Sequence, residues 1–179
     1  MDATNRPANG SPDEAADTLP VPAAIATRSD FAAAVRWAVI GAAARGSRRL
    51  VFVDADFADW PLDDVALLAA LGAWLRLPGR QLVLLADSFE ALPRSRPLFV
   101  SWRRDWVHAI EACTPAEPGS LALPTLLLDD GHVGVRLIDK LQWRGRVTVE
   151  ARELRQAREH IDAILQRSVP AFPATTVGL

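Results

Sequence analysis

One cysteine, one lysine and three histidines in 179 residues are the first limits on what this chain can do. Cys113 alone excludes an intramolecular disulfide and any cage of several cysteines around a metal, and a reducing compartment suits it. Neither His132, at an expected hairpin tip, nor His160, on an expected helix, has a second ligand at a metal-binding spacing, so both read as surface histidines. There is no glycine-rich phosphate loop, no G-x-S-x-G elbow and no H-E-x-x-H. No apolar run approaches the roughly 20 residues of a membrane span, and the N-terminus lacks the basic and apolar regions of a signal peptide. A soluble, cytoplasmic protein is expected. Lys140 stands beside nineteen arginines, a bias that fits the codon usage of a GC-rich bacterial gene and makes arginine counts weak evidence for guanidinium chemistry.

Net charge is −2, too small for the whole molecule to recruit nucleic acid or an anionic membrane by its field. Charge is uneven along the chain. Residues 1–93 hold eight arginines against twelve acids, whereas residues 94–179 hold eleven arginines and Lys140 against ten, so the second half is the better suited to an anion. With half its residues hydrophobic, the chain can bury one sizeable core but is short for two domains. Residues 1–27 are Ala-, Pro- and Asp-rich with little to bury and read as a disordered tail or linker. A single α/β domain is expected over 28–169, followed by an irregular tail over 170–179.

Within that domain, Ser29 or Asp30 can cap a first helix whose apolar positions Phe31, Ala34, Val35, Ala38 and Ala42 recur at three and four, with Gly46 as its stop. Leu50 to Ala55 is an almost continuous apolar run ending in acids, the pattern of a strand buried on both faces. Trp60–Pro61 then starts a helix with Asp63 and Asp64 in its first turn, and Gln81 to Ala86 repeats the strand signal. This α-β-α-β order predicts a mixed, mainly parallel sheet flanked by helices. Ser101 can cap a further helix from Trp102 to Cys113, on which Trp102, Trp106, Ala109, Ile110 and Cys113 share one face, and 114–120 reads as a loop. Leu123 to Leu128 and Val133 to Ile138 form a hairpin through Asp130-Gly131. A short strand over 146–150 and an amphipathic helix over 151–168 complete the pattern.

Two stretches carry candidate chemistry. Asp54, Asp56 and Asp59 lie at the exit of the first strand, where open α/β sheets place ligands; Asp54 and Asp56 suit a divalent metal or an acid/base pair, or else they are turn and cap residues. Residues 94–108 interleave four arginines with two tryptophans. The tryptophans fall on the apolar stripe, which leaves Arg103, Arg104 and His108 as exposed groups for an anion, or as an ordinary solvated face. Cys113, on the same stripe, reads as a buried, unreactive thiol.

The element order, with LVFVDADF, QLVLLAD, LPTLLLDDGHVGVRL and RGRVTVEAREL as its parts, resembles one half of the phospholipase D-like superfamily over most of Thr27 to Ser168. The resemblance implies that Asp130-Gly131 matches the family's hairpin turn and Glu150 its late acidic position. The family's catalytic His-x-Lys, followed four residues later by Asp, is missing: Leu121 to Thr125 stand before the hairpin, and no other nucleophile replaces the histidine. Such a degenerate half implies no catalytic residue and no cofactor, and a binding or interaction module that touches a phosphate-containing ligand through Arg103, Arg104 and His108. Halves of this superfamily commonly pair, so a homodimer is expected, and a fainter similarity to bacterial proteins joined to an acetyltransferase domain suggests such a domain or another protein as partner. Nucleic acid is the less favoured partner. The competing expectation is a metal-dependent phosphoesterase on Asp54 and Asp56, and a third is a scaffold with an apolar patch around an exposed tryptophan.

Overall fold

The computed structural model describes residues 21–22, 24–120 and 122–173. In chain order these form α1 (Arg28–Ala42), β1 (Arg49–Asp54), α2 (Val65–Leu75), β2 (Gln81–Ala86), α3 (Leu92–Ser95), α4 (Pro97–Arg103) with a 3₁₀ turn (Arg104–Trp106), β3 (Ile110–Pro115), β4 (Thr125–Asp129), β5 (Val133–Asp139), β6 (Arg144–Thr148), α5 (Ala151–Leu165) and β7 (Ser168–Pro170). The strands make one seven-stranded sheet in the order β6-β5-β4-β1-β2-β3-β7. It is an α/β fold, as expected.

The sheet is mixed but not mainly parallel. β1–β2 and β2–β3 are parallel, while β1–β4, β3–β7, β4–β5 and β5–β6 are antiparallel. Only two connections, the one through α2 and the one through α3 and α4, carry the chain back along the sheet before the next strand. After β3 the segment 116–124 leads to β4 beside β1, tight turns join β4 to β5 and β5 to β6, and α5 leads to β7 on the far edge; a tight turn can only join antiparallel neighbours. At the β4–β5 turn, Asp130 and Gly131 both take positive φ, 37° and 88°, which is why a short polar residue and a glycine stand there.

Side chains of β1 alternate between two cores. Leu50 and Phe52 face α1 and α2, whereas Val51 and Val53 join Leu154, Ile161 and Ile164 of α5 on the opposite face. The period of two in a buried strand makes that division. α1 is capped by Thr27, whose hydroxyl accepts from the Asp30 amide, two and three residues ahead of Ser29 and Asp30. α2 begins only at Val65. Asp64 is its cap, accepting from the Ala66 and Leu67 amides, so Pro61 to Asp63 belong to the turn before it.

The expected helix from Trp102 to Cys113 is instead the end of α4, a 3₁₀ turn and most of β3. Ala109, Ile110 and Cys113 fit a helical stripe, but Leu82 to Leu85 offer a free parallel ladder to Ile110–Cys113, and tertiary pairing overrides the local pattern. The tail expected after Pro170 also begins inside the sheet, because Ser168 to Pro170 pair with β3 and Phe172 stacks on Phe89 at 5.1 Å between ring centroids. Residues 1–20 of the expected N-terminal tail lie outside the described residues, and Ile25, near its end, is buried and bridges Gly145 of β6. All six tryptophans are described; Trp60 and Trp74 are buried, and the other four are half-buried.

Candidate functional site

Asp54 is the last residue of β1, and its side chain points to the α1/α2 face with no solvent exposure. A carboxylate there needs donors on every side. The chain supplies five. Oδ1 accepts from the amides of Asp56 and Phe57, both at 3.2 Å, and from Lys140 Nζ at 2.9 Å. Oδ2 accepts from Trp60 Nε1 at 3.0 Å and from Thr125 Oγ1 at 2.6 Å.

One local turn and two long-range strand placements bring those donors together. The Asp54-Ala55-Asp56-Phe57 turn folds its amides back onto the carboxylate, with Phe57 at φ 59°, a left-handed conformation rare for an aromatic residue. Phe57 is held there in a buried ring cluster, 5.3 Å from Trp60 and 6.0 Å from Phe89. Thr125 arrives by register: Val53 pairs with Leu126 in the antiparallel β1–β4 ladder, so Thr125 comes level with Asp54. Lys140 follows β5 immediately, at the same end of the sheet.

The lysine does not serve Asp54 alone. Its Nζ is also 3.7 Å from Asp56 Oδ1 and 3.7 Å from Asp59 Oδ2, so the chain's own ammonium stands among all three acids of the strand exit. Burial by itself pushes the Asp54 carboxyl upward, but Thr125, Lys140 and the Asp56 amide outweigh it and hold the group below its ordinary range. Burial likewise pulls Lys140 down, and Asp54, then Asp56 and Asp59, more than restore it. Both groups are held in their charged forms.

That arrangement constrains the chemistry. Asp54 spends both oxygens on protein donors and is shut away from any substrate, which disqualifies it as a general base. A lysine fixed as ammonium is no nucleophile. Among the described residues, no group of three or more His, Cys, Asp or Glu is arranged to hold a metal ion. The turn-and-cap reading of Asp56 is realised in its own bond, since its Oδ1 accepts from the Ala58 amide at 3.0 Å.

The other candidates lie elsewhere. Arg103 is not exposed: it is 5 % accessible, and its guanidinium lies 4.4 Å from the Phe172 ring centroid. The C-terminal segment folding back along β3 brings that ring over it, an arrangement no local pattern in 94–108 encodes. Arg104 and His108 are exposed. They precede β3, whose Ile110 is level with Leu82, while Asp54 is level with Ala86, four residues further on. His108, two residues before Ile110, is therefore at the opposite end of the sheet from Asp54, about 13 Å or more away along the strands. Asp54, Asp56, Arg104 and His108 do not form one cleft. Asp130-Gly131 and Glu150 sit toward the His108 end, with Glu150 as the exposed residue before α5. Cys113 is buried on β3, where burial first and Glu111 second push its thiol up to about 11, an unreactive group.

With this geometry in view, the chain can be set beside known proteins. The likeness is one of fold. No protein-family model matches the chain, and no curated protein matches it. TrmBL2, an archaeal chromatin protein whose structure shows a novel mode of DNA binding, matches with a TM-score of 0.56 at 10 % identity over 83 % of this chain. This chain spans 54 % of TrmBL2. NucT from Helicobacter pylori matches with a TM-score of 0.51 at 10 % identity, over 80 % of this chain and 92 % of NucT. Identities this low relate architectures and leave residue roles to the geometry above.

Sequence reasoning found Asp54 and Asp56 but missed Lys140, Trp60 and Thr125 as their partners. Lys140 had one signal, its being the sole lysine; Thr125 and Trp60 had none, because their roles depend on strand register and on a turn.

Proposed function

We propose that this chain is a non-catalytic binding or interaction module, a phospholipase D-like half-domain without the family's chemistry. The observation that carries the reading is the state of Asp54: the one acid buried at the strand exit is saturated by five donors and neutralised by Lys140. A site of that kind holds the C-terminal end of β1, the start of β4 and the start of the β5–β6 turn together. It leaves no base, nucleophile or vacant acid pair for a reaction. The missing His-x-Lys pattern supports the same conclusion, since Thr125, in the segment where that pattern is absent, bonds Asp54. TrmBL2 is described by a mode of DNA binding, which makes nucleic acid one of the ligands to test.

The test is turnover of bis(p-nitrophenyl) phosphate by the full chain with Mg²⁺ or Mn²⁺. No turnover above the metal-only background is expected. Metal-dependent turnover that disappears in Asp56→Asn, a half-exposed position whose substitution leaves the buried Asp54 network in place, overturns the reading in favour of a metal-dependent phosphoesterase on Asp54 and Asp56.

A further inference from the structure

The second face of the sheet carries only α5, and along one side of that helix the packing is incomplete. A hollow of about 360 Å³ opens between α5 and strands β4 to β6. Its floor is Leu126, Leu128 and Leu154, and its wall is a cross-strand pair of arginines: Arg136 of β5 stands directly opposite Arg146 of β6. Like charges in that position destabilise a sheet unless something negative lies against them. One has a partner. Arg146 bonds Glu153 of α5 at 3.0 Å, and the same carboxylate oxygen accepts from Thr148 at 3.1 Å. Arg136 has no ion pair and no side-chain hydrogen bond among the described residues. His160 completes the wall from the helix side and is equally unpartnered there.

A second hollow of about 360 Å³ shares His160 and continues along the same side of α5 past Ile164 to Arg167. Ala157, His160, Ile164 and Arg167 recur at three and four, so the two hollows form one groove along a helix that is about 22 Å long. Each hollow is at the lower end of the size of small-molecule sites, roughly 300–1,000 Å³. No Phe or Trp side chain lines either, and the one imidazole, His160, stands beside the arginines, so the groove has no Phe or Trp platform for stacking bases.

We propose that this groove binds a phosphomonoester: the phosphate against Arg136, Arg146 and His160, and an aliphatic or sugar body along the α5 side toward Ile164. Two guanidinium forks on adjacent strands match the several oxygens of one phosphate head. One excess positive charge, from two arginines against Glu153, favours an anion, and the aliphatic floor accepts an apolar body. The proposal gives the binding-module reading above its ligand class and rests on it; the site is on the opposite face of the sheet from Asp54.

The experiment is isothermal titration of the full chain with hexyl phosphate. Saturable binding is expected, weakened about tenfold or more in Arg136→Ala, as loss of a charge-assisted bond implies, and unchanged in Arg104→Ala. Because Arg136 is exposed, its variant should keep the wild-type urea midpoint, which separates lost binding from lost folding. Displacement of hexyl phosphate by a 5′-phosphorylated oligonucleotide, but not by its 5′-hydroxyl counterpart, supports the site and assigns the phosphomonoester to a nucleic-acid end; displacement by neither also supports it and assigns a small molecule. Equal displacement by both oligonucleotides, no binding of hexyl phosphate, or wild-type binding by Arg136→Ala overturns it. These readouts involve no turnover, so they fail independently of the phosphodiester assay.

Discussion

Two charged clusters, one on each face of the same sheet, are built in opposite ways. Around Asp54 every polar group has found its partner inside the chain: a fully buried carboxylate meets five donors, and the one lysine is shared among three acids. Around Arg136 the reverse holds, with two arginines opposed across a ladder, one carboxylate on Arg146 alone and open space in front. A buried charge is tolerated only when its bonds are complete, so the first cluster is what a fold requires of itself. An exposed charge carries no such demand, and an unfavourable exposed pair that persists is the better pointer to something outside the chain. The acids that looked most like a site in the sequence are thus the ones the fold consumes.

Substitutions that break the first cluster should cost most. Asp54→Ala strands the Trp60 indole N–H, the Thr125 hydroxyl and two backbone amides, and urea denaturation should show a loss of about 3–5 kcal/mol. A loss below about 1 kcal/mol would show that the network does not clamp the strand ends together.

Lys140→Met removes the shared cation but not the other donors. A third of the lysine side chain faces water, so solvent screening cuts the expected loss to about 1–2 kcal/mol.

The pH dependence separates the two partners. The folded Asp54 carboxyl lies below its ordinary 3.8, so the unfolded chain protonates first on acidification; the stability it contributes is complete above that value and fades as pH falls through the folded one. Lys140 is raised above its ordinary 10.5, so its contribution is complete below that value and fades as pH rises through the folded one. The gap between wild type and Lys140→Met, followed by urea midpoint, should therefore hold steady from neutrality to about pH 10 and narrow above it. A gap that narrows between pH 6 and pH 8 instead would sink this assignment.

Arg136→Ala gives the smallest effect on the fold. Removing one of two opposed arginines should leave the urea midpoint within about 0.5 kcal/mol of wild type, or raise it slightly. A clear loss of stability would mean that Arg136 has a structural role, and the contrast between the two clusters would weaken.

The residues themselves announced a good part of this architecture. The stripe from Phe31 to Ala42, the apolar runs at Leu50 and Gln81 and the Asp130-Gly131 turn each obey a local rule, and each forms the element that the rule predicts. Ile110 to Cys113 failed because their spacing satisfies a helix and a strand alike, and the choice was made by the vacant edge of β2. β7 failed because three residues carry no period; only β3 defines them as a strand. The same divide runs through the candidate site. That acids would stand at the exit of β1 followed from Asp54 and Asp56 in the chain. That Lys140, 86 residues away, would neutralise them was decided by the antiparallel return through β4 and β5, since local rules reach only a few residues and charge pairing depends on distance in space.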